Sequence, residues 1–296
     1  MKMLNFGSCN IDYVYSVEHI VLAGETVSAD KMEIFPGGKG LNQSIAAARA
    51  GGRINHAGYI GTDGGMLADI LQNSGVDISF LKRAEMKNGH AVIQVDKNGE
   101  NSIFIHKGTN GMISREFVDE VLSSFDSGDI LLLQNEINNV SYIIDKAYEK
   151  GMLTVLNPSP IDENIKNVDL NKISYLLLND VEAKAYSLRN APDESLDYFI
   201  KNYPDLKIVL TLGKQGSIYA DRTQMFSFPA YNVQTVDTTA AGDTFTGYFI
   251  ALLAEGRKCE DCIKYATAAA ALAVSRMGAA SSIPLISEVE EFLKIK

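Results

Sequence analysis

Short apolar runs alternate with longer, helix-like stretches along most of the chain. The run Ile130-Leu131-Leu132-Leu133, within 129–134, is too short for most helices and is typical of a buried parallel strand. Residues 40–50 are rich in alanine and are followed by Gly51-Gly52, which predicts a helix that stops there. The same reasoning predicts strands at 3–9, 54–60, 152–156, 175–178 and 207–212, and helices at 67–73, 140–150 and 181–187.

This alternation favours an α/β fold, in which a parallel sheet is covered by helices on both faces. Ligands in such a sheet collect at the carboxyl ends of its strands. Two parts of the chain break the alternation. Residues 26–35 look extended, and 89–95 and 101–106 alternate as strands around Asn98-Gly99, which is a strong hairpin signal.

The extended segments have no helix between them, so we expect them to form a separate small sheet. We place this sheet at about 12–36 and 88–108, within one α/β domain that spans 1–296. A small sheet beside a pocket suits a lid that excludes water, and its exposed face can pair with another subunit. The alternative is an ordinary surface hairpin.

The composition fits a globular protein with a substantial core. The 296 residues are 46% hydrophobic, which is enough for one large α/β domain. The formal charge of -10 argues against a general surface for nucleic acid or anionic membranes, since like charges repel. We find no signal peptide and no apolar segment near the roughly 20 residues that span a bilayer. We therefore expect a cytoplasmic protein.

The three cysteines fit a reducing compartment better than a disulfide framework. Cys259 and Cys262 have C-x-x-C spacing, but no second pair completes a zinc site. Their flanks predict a helix and not the strand-to-helix junction of a redox motif. We therefore interpret this pair as structural.

The segment Asp237-Thr238-Thr239-Ala240-Ala241-Gly242-Asp243 leads into the apolar stretch 246–254, which predicts the start of a helix. A helix start presents unpaired N–H groups and the positive end of the macrodipole, so it attracts phosphate. A carboxylate at that point can orient or deprotonate an attacking hydroxyl. The alternative is that Asp243 is only an N-cap.

A glycine-rich segment, Pro36-Gly37-Gly38-Lys39-Gly40-Leu41-Asn42-Gln43, joins the first extended piece to a helix. Its glycines let the backbone approach a ligand closely, and Lys39 and Asn42 can supply polar contacts. It is not a Walker A loop, because Lys39 is followed by glycine. It also lacks the third glycine of the dinucleotide fingerprint.

Polar residues follow several predicted strands, at the ends where ligands collect. Asn10 and Asp12 follow the first strand and suit vicinal sugar hydroxyls, although such residues are more often turn formers. Glu136 follows the apolar strand at 130–133. Asn179 and Glu182 follow the strand at 175–178, and the turn Thr211-Leu212-Gly213-Lys214-Gln215-Gly216 follows the strand at 207–210. This turn is shaped to receive phosphate or a nucleobase. Their convergence on one rim predicts a binding site.

Four motifs follow one another in the order Gly37-Gly38-Lys39-Gly40-Leu41-Asn42-Gln43, Asn179-Asp180-Val181-Glu182, Thr211-Leu212-Gly213-Lys214-Gln215-Gly216 and Asp237-Thr238-Thr239-Ala240-Ala241-Gly242-Asp243. In these motifs the chain resembles the ribokinase group of the PfkB family of carbohydrate kinases, over essentially its whole length. The resemblance implies a ribokinase-like three-layer sandwich with a central, mostly parallel sheet and a small β-sheet lid. It also implies ATP-dependent transfer of the γ-phosphoryl group to the primary hydroxyl of a pentose, with D-ribose 5-phosphate as the expected product.

The resemblance also implies roles for matching positions. Asp243 is the implied base, and the amides of Ala240, Ala241, Gly242 and Asp243 form the implied anion hole. The implied sugar ligands are Asn10, Asp12, Gly38, Lys39, Asn42 and Glu136, together with Asp243. The implied nucleotide site is lined by Asn179, Thr211, Gly213, Gly216, Gly242 and Thr267, the last of which is Asn in many ribokinases.

Two cations are implied by the same resemblance. Glu182 is expected to act near Mg²⁺ through water. The positions that match a K⁺ site are Asp237, Thr239, Ala273, Arg276, Gly278 and Ser282. A carboxylate and backbone carbonyls are hard oxygen ligands that suit such an ion, with Arg276 contributing only its backbone oxygen. The implied role of K⁺ is to hold the 237–243 loop in shape.

Two further expectations concern the molecule that accepts the phosphoryl group and the oligomeric state. Lys107 departs from the family pattern near the sugar and favours an anionic or bulkier acceptor, unless it points to solvent. The alternatives to ribose are another sugar, a keto-sugar acid or a nucleoside. A degenerate kinase that only senses sugar or nucleotide has no use for a base such as Asp243, and the missing fingerprint disfavours a dehydrogenase. For assembly, the resemblance implies a homodimer through the lid.

Overall fold

The computed structural model describes residues 1–295, and within this range the chain forms thirteen strands and ten α-helices. The strands are β1 (Met3–Phe6), β2 (Asn10–Ser16), β3 (Lys31–Gly37), β4 (Ile54–Ile60), β5 (Asp77–Arg83), β6 (Gly89–Val95), β7 (Asn101–His106), β8 (Ile130–Leu133), β9 (Leu153–Leu156), β10 (Tyr175–Asn179), β11 (Lys207–Thr211), β12 (Ser217–Ala220) and β13 (Met225–Phe228). The helices are α1 (Lys39–Arg49), α2 (Gly65–Asn73), α3 (Arg115–Leu122), α4 (Val140–Glu149), α5 (Glu163–Lys166), α6 (Asp180–Ser187), α7 (Pro192–Asn202), α8 (Ala241–Ala254), α9 (Cys259–Val274) and α10 (Ile286–Ile295).

The large sheet has nine strands in the order β13-β12-β11-β10-β9-β8-β1-β4-β5. Every neighbouring pair from β11 to β5 is parallel, whereas β12 and β13 are added antiparallel at one edge. The carboxyl ends of the parallel strands therefore meet at one rim, where ligands bind in such sheets.

Helices cover both faces of this sheet, as β8 shows residue by residue. Ile130 and Leu132 pack into a core with side chains of α1, α8 and α9. Leu131 and Leu133 point to the opposite face and pack with α3, α4 and α7. Because the strand is buried on both faces, all four of its positions are apolar. The predicted α/β fold with three layers is confirmed.

A second sheet has four strands in the order β3-β2-β6-β7. The hairpin between β6 and β7 turns at Asn98-Gly99 as predicted, with Gly99 at a φ of 83°. The prediction of an extended segment from residue 26 is wrong for 26–30. Ser16, the last residue of β2, pairs with Lys31, the first residue of β3. Residues 26–30 therefore have no partner in β2.

The first predicted strand, 3–9, is also too long, because β1 ends at Phe6. Gly7 passes so close to the start of α1 that a Cβ on it would lie 2.7 Å from the Gly40 Cα. The chain then crosses to the small sheet. Asn10 and Asp12 consequently lie within β2 and not in a loop at the end of β1.

Two other features of the chain bear on its interpretation. Cys259 and Cys262 lie in the first turn of α9, as the helical interpretation of this pair predicts. In the part of the chain that the structure describes, no helix is both long and apolar enough to cross a membrane.

Candidate active site

Helix α8 begins at a strained turn. Ala240 precedes the helix with a φ of 58°, a left-handed conformation that is uncommon for a residue with a side chain and is often found at functional sites. Ala240 is the N-cap residue, so Asp243 is the third residue of the helix and the N-cap alternative is wrong. Of the amides predicted to form an anion hole, that of Ala241 already donates to the Thr238 carbonyl at 3.3 Å.

Two amide side chains from α1 hold the Asp243 carboxylate. Asn42 Nδ2 donates to Asp243 Oδ2 at 3.1 Å, and Gln43 Nε2 donates to Asp243 Oδ1 at 2.9 Å. The two helices pack closely, since a Cβ on Gly247 of α8 would lie 2.4 Å from the Ala46 Cβ of α1. The packing of α1 against α8 thus places Asn42 and Gln43 beside a carboxylate that lies about two hundred residues later in the sequence. Gln43 lies in a motif that the sequence singled out, but its contact with Asp243 was not predicted.

Asp12 lies in an electrostatic cluster with Asp243 and Glu136. Its carboxyl group packs on Gly37, where an added Cβ would lie 2.0 Å from Asp12 Oδ2. Burial, together with the negative charges of Glu136 and Asp243, raises the pKa of Asp12 from 3.8 to about 7. A carboxyl group in this position changes its charge near neutral pH.

Lys39 counters these charges. Burial alone lowers the pKa of Lys39, but attraction to Asp243, Glu136 and Glu182 outweighs burial and raises it. Its backbone amide also donates to Glu136 Oε2 at 2.9 Å. Burial raises the pKa of Glu136, although the positive charge of Lys39 and the hydrogen bond from Ser8 oppose this rise. The cluster therefore holds a lysine cation among carboxylates at the start of α1.

The small sheet and the glycine-rich loop meet at Asn10. Gly38 has a φ of 96°, and a Cβ on it would lie 3.0 Å from the Asn10 amide nitrogen. Asn110 Nδ2 donates to Asn10 Oδ1 at 2.7 Å. Asn110 and Ser8, whose hydroxyl donates to Glu136, are supporting residues that the sequence did not identify. Asn110 lies in the turn after β7, next to Lys107, and Lys107 itself is exposed.

A cavity of about 230 Å³ lies at the rim, between the start of α8 and the ends of β10 and β11. Its lining brings together several predicted site residues from distant parts of the chain: Lys39, Asn179, Glu182, Thr211, Ala240, Ala241, Gly242 and Asp243. Asn157 and Ser159, which follow β9, also line this cavity and were not predicted.

A second cavity, of about 530 Å³, adjoins the first. The two share a wall made of Thr211, Thr238, Ala241, Gly242 and Phe245. The predicted nucleotide residues Gly213, Gly216 and Thr267 line the second cavity, together with the loop 230–233, for which the sequence carried no signal. Its volume falls in the range of small-molecule sites. The start of α8 thus separates a carboxylate-bearing cavity from a roomier and less polar one.

Asn179 and Glu182 form the N-terminal cap of α6. Asn179 Oδ1 accepts from the Glu182 amide at 2.8 Å, and Glu182 Oε2 accepts from the Asn179 amide at 2.9 Å. This reciprocal pair is a capping box, which stabilises a helix start. Both residues therefore have a structural role, and both also line the 230 Å³ cavity.

Asp237 joins two of the segments predicted to bind K⁺. Its Oδ1 accepts from the Thr239 amide at 2.9 Å and from the Thr239 hydroxyl at 2.6 Å, while Oδ2 accepts from the Gly278 amide at 2.9 Å. Burial raises the pKa of Asp237, but these hydrogen bonds outweigh burial and lower it. The carboxylate is therefore ionised at neutral pH and ties the start of the 237–243 loop to the loop after α9.

The other predicted K⁺ positions are placed differently. The Ala273 carbonyl accepts from the Arg276 amide at 3.0 Å, and the Arg276 guanidinium pairs with Glu288 at 2.7 Å. The Ser282 hydroxyl donates to the Ala279 carbonyl at 2.8 Å, within its own loop. Among residues 1–295, no group of three or more acidic, histidine or cysteine side chains is arranged to hold a metal ion.

The rim and its paired cavities define an α/β protein with two adjoining cavities at the start of a helix. Over residues 2–286, the chain matches the family described as pfkB family carbohydrate kinase. It belongs to this family, and it is therefore a carbohydrate kinase.

Individual relatives agree with this assignment. The chain is 34% identical to a ribokinase of Staphylococcus aureus, over 98% of this chain and 99% of the relative. The crystal structure of a ribokinase from Cryptococcus neoformans in complex with ADP superposes with a TM-score of 0.86 at 31% identity, over 98% and 99% of the two chains. A ribokinase of Arabidopsis thaliana complexed with ribose and ATP gives a TM-score of 0.86 at 27% identity, over 99% of each chain.

Proposed function

We propose that the protein transfers the γ-phosphoryl group of ATP to the primary hydroxyl of D-ribose, giving D-ribose 5-phosphate and ADP. The observation that carries the proposal is the position of Asp243. Two amide side chains of α1 hold its carboxylate at the start of α8, where the cavities of about 230 and 530 Å³ meet. The ribose- and ATP-bound relative supports the choice of substrates.

The sugar binds between the small sheet and the start of α1. Asp12, Asn42 and Glu136 offer the carboxylate and amide groups that recognise neighbouring hydroxyls. Gly38 lets the backbone approach the ligand, and Lys39 balances the charge of the cluster. Asn10 completes the set of sugar ligands from β2.

Phosphoryl transfer requires alignment and charge neutralisation more than covalent chemistry. Asp243 accepts the proton of the primary hydroxyl, and the hydroxyl oxygen attacks the γ-phosphorus while the bond to ADP breaks. The backbone amides of Ala240, Gly242 and Asp243, at the positive end of the α8 dipole, stabilise the charge on the migrating group. Lys39, which lines the same cavity, adds a full positive charge.

The nucleotide occupies the 530 Å³ cavity with its phosphates toward Gly242. Gly213 has a φ of 55° and Gly216 a φ of 100°, so this turn requires glycine and leaves its backbone open to the ligand. Thr211 and Asn179 line the passage toward the phosphates. Thr267 borders the base, where its hydroxyl lies 3.4 Å from that of Ser217.

Mg²⁺ accompanies ATP, and when bound it neutralises charge on the phosphate oxygens. Glu182 is the residue of this chain that is suited to act on the ion through water, because it lines the phosphate cavity and carries oxygen ligands. One of its oxygens is engaged in the capping box. Glu182→Gln is expected to raise the Mg²⁺ concentration needed for half-maximal rate, without unfolding α6.

K⁺ binds beside the anion hole in this proposal. The oxygen ligands suit the ion, since the ionised Asp237 carboxylate and the backbone carbonyls of Ala273, Arg276 and Gly278 are hard oxygens. Thr239 and Ser282 complete the set. The role of the ion is to fix the 237–243 loop. Replacing K⁺ by tetramethylammonium is expected to lower activity, and an unchanged rate would remove K⁺ from the account.

The small sheet forms a homodimer contact and closes over the sugar. All residues of the edge strand β7 are exposed, including Ile103, Phe104 and Ile105, and Ile34 on β3 is exposed as well. An exposed apolar edge of this kind favours pairing with a second copy. Sedimentation equilibrium is expected to show a dimer that Phe104→Glu dissociates, and a wild-type monomer would contradict the contact.

The acceptor is tested by measuring ADP formation from ATP with D-ribose, another pentose, a keto-sugar acid and a nucleoside. We expect D-ribose to give the highest kcat/KM, and ³¹P NMR to place the phosphate on the primary hydroxyl. Preference for an anionic acceptor would overturn the choice of ribose and point to Lys107. Sugar binding without any ADP formation would indicate a sensor and overturn the kinase mechanism.

A further inference from the structure

A chain of buried side-chain hydrogen bonds leads from Asp243 into the protein. Gln43, which donates to Asp243 Oδ1, accepts at its Oε1 from Gln134 Nε2 at 2.7 Å. Gln134 Nε2 also donates to Asn5 Oδ1 at 3.1 Å. Gln43 and Asn5 are fully buried, and Gln134 is 1% exposed. None of these three amides lines either cavity.

The chain continues to β4. Asn5 Nδ2 donates to the Gly40 carbonyl and to Ser44 Oγ, both at 2.8 Å. Ser44 Oγ lies 2.8 Å from His56 Nδ1. Burial lowers the pKa of His56 to about 4, so the ring is neutral when it shares this hydrogen bond with the Ser44 hydroxyl. The amides are thus anchored to α1 and to the large sheet.

The order of donors and acceptors admits one orientation for each glutamine. A Gln43 amide turned over would set its oxygen against the Asp243 carboxylate. A Gln134 amide turned over would set its oxygen against Gln43 Oε1 and Asn5 Oδ1. Each reversal replaces a hydrogen bond by a repulsive contact in a buried site, where unsatisfied polar groups are costly.

We propose that Gln43 and Gln134 are positioning residues for Asp243. Gln134 keeps the nitrogen of the Gln43 amide toward the carboxylate, and Gln43 holds Asp243 Oδ1 by a hydrogen bond that its negative charge strengthens. The carboxylate is thereby kept oriented for the sugar hydroxyl. This inference rests on the proposed role of Asp243 as the base.

The test is the effect on kcat and on KM in Gln43→Met and Gln134→Met, which keep side-chain length and remove the amide. Since a carboxylate that loses this donor is no longer held toward the sugar hydroxyl, the loss is expected in kcat and not in ATP binding. We expect kcat to fall about tenfold and KM for ATP to stay within about twofold. The double variant is expected to resemble Gln43→Met alone, because both residues act through one hydrogen bond.

Asn138→Met is the matched control. Asn138 exchanges two hydrogen bonds with the Ile113 backbone, at 2.9 and 2.8 Å, so its loss destabilises the protein without touching the chain to Asp243. We expect a lower Tm and a wild-type kcat for this control. Glutamine variants with the same behaviour would show a merely structural role and overturn the proposal.

Two further experiments separate a failure of the positioning role from a failure to fold and from a failure of the proposed function. Gln43→Asn withdraws the amide by one methylene and replaces Gln43→Met if that variant does not fold, with the same fall in kcat expected. The wild type is assayed first with the acceptor panel. A wild type without turnover contradicts the proposed function. An active wild type with variants that keep the wild-type kcat contradicts only the positioning role.

Discussion

Asp12→Asn tests the electrostatics of the sugar site without any ligand. The pKa of Asp12 is raised from 3.8 to about 7 by burial and by the neighbouring Glu136 and Asp243 charges. A group with a raised pKa in the folded state contributes stability that is fully present below its unfolded pKa. That contribution is lost as the pH rises through the folded pKa.

The size of the effect follows from the interval between the two pKa values. From pH 5.5 to 8.5 the unfolded chain carries an ionised Asp12 throughout, whereas the folded protein must ionise it near pH 7. Each pH unit between pH 5.5 and the folded pKa of about 7 lowers the stability of the wild type by about 1.4 kcal/mol. Over this interval of about 1.5 pH units the wild type therefore loses about 2 kcal/mol of stability. The asparagine variant has no charge to lose and keeps its stability over this window.

Urea unfolding of both proteins at pH 5.5 and pH 8.5, without sugar, measures this difference. We expect the stability of Asp12→Asn relative to wild type to rise by about 2 kcal/mol between the two pH values. Asp30→Asn, which removes an exposed acid just before β3, is the control and should show no such change. A pH-independent difference between Asp12→Asn and wild type would refute the buried, charge-crowded environment of Asp12.

Three other predictions concern close packing and proton release. Gly37→Ala places a Cβ 2.0 Å from Asp12 Oδ2, so initial-rate kinetics should show KM for the sugar raised about tenfold and KM for ATP within about twofold; equal effects on both would contradict this. Gly247→Ala overpacks the contact of α1 with α8 and should cost about 1–3 kcal/mol in urea, unlike Gly65→Ala, where the added Cβ has open space. Ribose binding at pH 6 should release close to one proton, because the sugar hydroxyls favour ionised Asp12; calorimetry that gives the same heat in buffers of different ionisation enthalpy would show that none is released.

Local patterns predicted most of the large sheet, because each buried strand carries its own apolar run. The strand at 130–133 and the helix that begins near Lys39 need no knowledge of their neighbours. The failures have the opposite origin. The end of β1 depends on the contact of Gly7 with Gly40, and the start of β3 depends on the end of β2 at Ser16. Such limits are set by segments that are distant in sequence.

The candidate site shows the same difference between residues that a local motif identifies and contacts that depend on distant segments. The motifs named Asp243, Lys39 and Glu182 because each lies in a short pattern with its own chemistry. The bond between Gln43 and Gln134 joins residues 91 positions apart, and no local pattern indicates that two buried amides meet. Supporting contacts of this kind become visible only when the fold has brought the helices and strand ends together.

The claim that Asp243 is the base is tested most directly by Asp243→Asn, with turnover and binding measured on the same preparation. We expect kcat with ATP and ribose to fall by about 10²–10⁴, the contribution of a positioned general base. Calorimetric dissociation constants for ATP and ribose should stay within about threefold of wild type, since asparagine keeps the shape of the side chain. Near-normal turnover in this variant would contradict the central role of Asp243.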